Sequence, residues 1–70
     1  MKRPIYTDEI LSVLKRERVP LKAIDIGVNM LDLDYWTAKY SLREAIKYLL
    51  NEGSIERVGT NYYRYVNKNG

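Results

Sequence analysis

Leu49-Leu50-Asn51-Glu52-Gly53-Ser54-Ile55-Glu56-Arg57-Val58 is the stretch on which the fold turns. Before it, apolar residues recur at helical spacing: Tyr35, Ala38, Leu42, Ala45, Ile46 and Leu49 share one face at about 100° per residue. After Gly53 the period drops to two, and residues 54–58 are rich in strand formers. Gly53 stands at the change, where a helix end needs a residue that accepts left-handed backbone angles. The stretch therefore predicts a long helix ending at Glu52 that feeds directly into a strand.

Further along the chain, residues 62–66 form a second β-rich run, and Gly59-Thr60-Asn61 supplies turn chemistry between the two. A short antiparallel hairpin is expected. The polar tail Asn67-Lys68-Asn69-Gly70 is expected to fray. On the other side, Asp32-Leu33-Asp34 reads as a turn, with Asp34 capping a third helix that begins near Tyr35. A second helix is expected from about Leu21 to Met30. It carries two apolar stripes, one of Ala23, Ile26, Gly27 and Met30 and one of Leu21, Ile24, Val28 and Leu31, which implies neighbours on two sides. Gly27 inside it costs up to ~1 kcal/mol relative to alanine. Close approach of another helix would justify that cost; alternatively Gly27 ends a shorter helix. The first helix starts near Thr7 as cap, with Tyr6 placed to staple onto Leu11. Its apolar face is Ile10, Leu11, Val13 and Leu14, its charges follow the helix dipole, and Val19-Pro20 stops it.

The 70 residues are read as one domain, 1–70. The sequence has no cysteine and no histidine, which excludes disulfides, Cys/His zinc sites and nucleophiles served by a histidine base. No phosphate-binding glycine loop is present. Asp32 and Asp34 lack the glycine of a calcium loop and read as turn and cap residues. The expectation is a protein that is not an enzyme and carries no metal or cofactor. A net charge of +3 permits an anionic partner without demanding one. No apolar run approaches the ~18 residues of a membrane span, and Met1-Lys2-Arg3-Pro4 does not open a secretory signal, so a cytoplasmic protein is expected.

The order of helix, short extended piece, helix, turn, long helix and hairpin resembles the winged helix-turn-helix superfamily over nearly the whole chain. Residues 49–58 resemble its junction of recognition helix and first wing strand. Asp25-Ile26-Gly27 followed by Met30 resembles its second helix, and Val19-Pro20-Leu21 its short first strand. Asp34-Tyr35 with Ala38-Lys39-Tyr40 is similar to small winged-helix regulators of enterobacterial pilus genes. Two departures stand out. The segment between Pro20 and Leu42 is about one helical turn longer than the family norm, and Gly27 replaces a usual alanine. The long segment implies either an early start of the recognition helix, near Tyr35, or an enlarged turn.

The resemblance implies an α+β fold of three helices with a C-terminal two-stranded hairpin wing. It also implies sequence-specific binding of double-stranded DNA by a small transcriptional regulator, working as a homodimer. The third helix would enter the major groove and the wing would meet the adjacent backbone or minor groove. The expected contacts are Thr37, Lys39, Tyr40, Ser41, Arg43, Glu44 and Lys47 on the helix, with Arg57 and Arg64 on the wing. Arg43 suits a guanine edge, whereas Lys39 and Lys47 suit phosphates. The competing expectation is a protein-interaction module, with Trp36 as anchor for a partner such as a larger regulator.

Overall fold

Asp34 begins the element that organises the rest of the molecule. In the computed structural model, which describes residues 3–67, helix α3 spans Tyr35–Glu52. The Asp34 carboxylate accepts a hydrogen bond from the Thr37 backbone N–H at 3.0 Å and another from the Thr37 hydroxyl. At the far end Gly53 takes the left-handed conformation, φ 79°, and its N–H reaches the carbonyls of Leu49 and Leu50. Both ends stand where the sequence places them. Ala38, Leu42, Ala45, Ile46 and Leu49 are buried, but Tyr35, expected on the same face, is half-exposed. It lies a turn ahead of the first core contact, Ala38, and packs edge-on against Trp36 instead.

Helix α1 (Thr7–Glu17) buries Ile10, Val13 and Leu14. Thr7 is not its cap. It is the first helical residue, buried in the core, and its hydroxyl donates to the Pro4 carbonyl at 2.6 Å. A buried hydroxyl must find a partner, and that carbonyl is within reach. Tyr6 takes the cap position with left-handed angles and no side-chain cap bond. The helix stops before Val19-Pro20, as expected, with Arg18 left-handed and its N–H on the Leu14 carbonyl.

The segment expected as one helix from Leu21 to Met30 divides into two parts. Leu21–Lys22 is a strand, β1, and the helix begins only at Ala23: a short α2 (Ala23–Asp25) runs straight into a π-helical turn (Ile26–Met30). The turn is closed by the Leu31 N–H on the Ile26 carbonyl and the Leu33 N–H on the Gly27 carbonyl, both at 2.9 Å. Ile26 and Gly27 are buried against α3, while Val28 and Met30 are exposed. Both expected stripes contribute to burial, since Leu21, Ala23, Ile24 and Leu31 are partly buried against the core; the segment packs chiefly on α3 and to a lesser extent on α1. Gly27 does meet another helix at close range and does not end the segment.

Strands β2 (Ile55–Val58) and β3 (Tyr62–Tyr65) form the expected antiparallel hairpin, with Val58 opposite Tyr62 and Ile55 opposite Tyr65. Gly59 and Asn61, both at positive φ, turn the chain between them. The sheet is not a two-stranded hairpin, however. It has three strands in the order β1-β3-β2, with Leu21 opposite Tyr63 and Lys22 opposite Tyr62. Two residue pairs are too short to show alternation in sequence, but they cover one edge of β3. The architecture is α+β: three helices and a three-stranded antiparallel sheet around one core. Leu14, Ile26, Leu42, Ile46, Leu49 and Ile55 meet in that core, as the apolar pattern required. Of the expected polar tail, only Asn67 lies within the described residues. Among these, no helix is long and apolar enough to cross a membrane.

Candidate nucleic-acid interface

Lys39, Arg43 and Lys47 follow one another at four-residue intervals and so share one stripe of α3. That stripe forms one wall of a groove of about 800 Å³. Lys22, Ala23 and Ile24 form a second wall, and Arg57, Asn61 and Tyr63 of the hairpin a third. The floor is apolar, built from Ala38, Ile46 and Leu50. Five cationic side chains line the groove, Lys22, Lys39, Arg43, Lys47 and Arg57, and no carboxylate is among the described residues lining it. Like charges around a concave, low-dielectric surface focus a positive potential and favour an anionic occupant.

Tertiary contacts hold some of these cations in place. The Arg57 guanidinium lies 5.8 Å from the centroid of the Tyr63 ring, and the Lys22 ammonium 5.4 Å from that of Tyr62. At the N-terminal end of α3 an aromatic cluster adjoins the groove. Trp36 and Tyr40 stack with ring planes 1° apart and centroids 5.8 Å apart, and Tyr35 meets Trp36 edge-on. The Lys39 ammonium is within 5.7 Å of the Tyr35 centroid, 6.0 Å of Trp36 and 5.6 Å of Tyr40. Trp36 is nevertheless 63% exposed.

The residues expected as contacts thus fall into separate groups. Lys39, Arg43, Lys47 and Arg57 come together in the groove, and Tyr40 and Trp36 stand beside it on the exposed side of α3. Thr37, Ser41 and Glu44 do not line the groove. The Thr37 hydroxyl is engaged by Asp34, and Ser41 is half-buried. Arg64 points to the other face of the sheet from Arg57, because its register partner is Glu56 while that of Arg57 is Tyr63. There Arg64 forms an ion pair with Glu56 and shares a second depression with Lys15 and Arg18. Lys22 was not expected. Its signal, a position just after Pro20 in a strand beside the wing, is hidden when the segment is read as helix.

Hydrogen bonds from the Thr37 hydroxyl and backbone hold the Asp34 carboxyl below the ordinary aspartate range, so the cap stays anionic at neutral pH. Comparison with family models, with curated proteins and with solved structures finds no match.

Proposed function

We propose that the chain is a winged helix-turn-helix domain that binds double-stranded DNA as a small transcriptional regulator. On this reading α3 enters the major groove and the β2–β3 hairpin is the wing against the neighbouring backbone or minor groove. The observation that carries it is the carboxylate-free groove with five cations on α3, β1 and the hairpin. A helix of this width fits the major groove, and an exposed cationic stripe meets phosphates and base edges there. Arg43, midway along the stripe, is the base-reading residue. Lys39, Lys47, Lys22 and Arg57 neutralise phosphate. A single module reads few base pairs, so two copies on a two-fold site supply the specificity of a regulator.

A second reading is favoured by one observation, the exposed Trp36–Tyr40 stack. Exposed aromatic clusters mark interaction surfaces, and such a surface can bind a partner protein such as a larger regulator.

Fluorescence anisotropy with a random-sequence duplex over a salt series tests the first reading. Binding should weaken linearly in log–log form, with a slope of up to about −3.6 per bound copy if Lys22, Lys39, Lys47 and Arg57 each meet a phosphate. Absence of duplex binding, or affinity indifferent to salt, would overturn it.

A further inference from the structure

Trp36, Tyr40, Arg43 and Lys47 occupy one exposed stripe of α3, aromatic at its N-terminal half and cationic at its C-terminal half. The aromatic half is already assembled: the two rings are parallel to within 1° and an ammonium group lies beside them. An indole covered on both faces could not remain 63% exposed, so the Trp36 side of the stack is open. The cations around it bear on what could cover it. A second copy docking in parallel on the stack would bring Lys39, Arg43 and Lys47 against their own counterparts, and one docking antiparallel would leave Arg43 and Lys47 without an anionic partner. Duplex DNA offers phosphates to the cations. It also offers one apolar group in the major groove, the C5-methyl of thymine.

We infer that the Trp36–Tyr40 stack is a thymine-methyl reader, placed to select T·A pairs within a few steps of the pair that Arg43 reads. The inference rests on the DNA-binding reading and assigns the base chemistry of one end of the same helix. Trp36 and Arg43 are seven residues apart, about 10 Å along the helix axis. A helix lying along the groove is oblique to the duplex axis, so at 3.4 Å per base step the separation is at most about three base pairs. Each half-site is therefore asymmetric, with thymine within about three steps of guanine. Covering a methyl group with a ring face removes apolar surface from water, and each methyl read in this way strengthens binding about three- to fourfold.

The test uses a duplex enriched by the whole chain from a random pool, synthesised once with thymine and once with deoxyuridine at the same positions. This exchange deletes the methyl and leaves base pairing intact. The wild-type chain should bind the deoxyuridine duplex at least about threefold more weakly, and Trp36→Ala should bind the two duplexes equally. Thermal melting of the variant checks that it is folded. Equal wild-type affinity for both duplexes overturns the inference, as does a thymine preference that survives in Trp36→Ala. In either case salt-dependent duplex binding persists and the DNA-binding reading stands. Loss of self-association in Trp36→Ala, with the thymine preference unchanged, assigns the stack to a protein partner and likewise overturns the inference. If the wild-type chain binds no duplex at any salt concentration, the inference and the reading fall together.

Discussion

A Cβ atom placed on Gly27 would stand 2.4 Å from the Cβ of Ala38 and 2.9 Å from Cδ1 of Leu42. The Ala38 Cα would be only 3.1 Å away, so the conflict is with a helix backbone and its first side-chain carbon. Gly27→Ala is expected to destabilise the domain by about 1–3 kcal/mol through overpacking. The helix propensity gained, at most ~1 kcal/mol, opposes but does not cancel that loss. Urea unfolding of the variant measures the balance; a stability equal to or above that of wild type would show that the π-helical turn and α3 can part at no cost.

Leu42 is fully buried at the centre of α3. Leu42→Ala is expected to lower stability by about 2–5 kcal/mol, since the site cannot collapse around the missing volume. The neighbouring exposed position gives the contrast: Arg43→Ala should leave the thermal midpoint nearly unchanged. Denaturant titration of both variants checks the pair, and equal effects would contradict the assignment of buried and exposed faces.

The Asp34 cap has a pH signature. Its carboxyl is held below the ordinary aspartate range by the Thr37 hydroxyl first and backbone N–H groups second. A carboxyl with a depressed folded-state pKa stabilises the fold fully above its unfolded-state value, about 3.9. That stabilisation is lost as pH falls through the lower folded value. Asp34→Ala should therefore melt below wild type at neutral pH, and the gap should close in strong acid. A gap that is constant between neutral and acidic pH would mean that Asp34 acts through something other than its charge.

The two faces of the hairpin separate two arginines that are close in sequence to the same turn. Arg57 lines the groove, whereas Arg64 is paired with Glu56 on the other face. Lys47→Ala and Arg57→Ala should each weaken duplex binding and reduce the salt slope by about one. Arg64→Ala should change neither by a comparable amount. Anisotropy titrations over the same salt series distinguish the three, and an effect of Arg64→Ala matching that of Lys47→Ala would place the duplex on the second depression.

Long elements with internal repetition were legible in the sequence. Helix α3 carries its cap, apolar stripe and terminal glycine within one continuous run, and the β2–β3 hairpin carries its turn residues. Short elements that depend on a distant partner were legible only in outline: the resemblance puts a short strand at Val19-Pro20-Leu21, whereas the apolar pattern puts Leu21 and Lys22 in a helix. Leu21 and Lys22 are a strand only because β3 lies beside them, and with them the place of Lys22 in the groove was missed. Thr7 satisfies every local preference for a cap, yet burial and the Pro4 carbonyl give its hydroxyl another use. The separation of Arg57 from Arg64 required the hairpin register, which composition alone does not supply.

Strand β3 lies between β1 and β2, yet it follows both along the chain. During synthesis the helices can make their mutual contacts as soon as α3 emerges, but neither strand pairing can form until residues 62–65 have been made. A nascent chain halted after Val58 would have three helices and two unpaired strand segments separated by the whole of α3. The pairing of β1 with β3 joins residues about forty positions apart and so carries the larger loop-closure entropy of the two strand pairings. The Arg57 wall of the groove, which belongs to the β2–β3 hairpin, therefore cannot be complete before residues 62–65 are made.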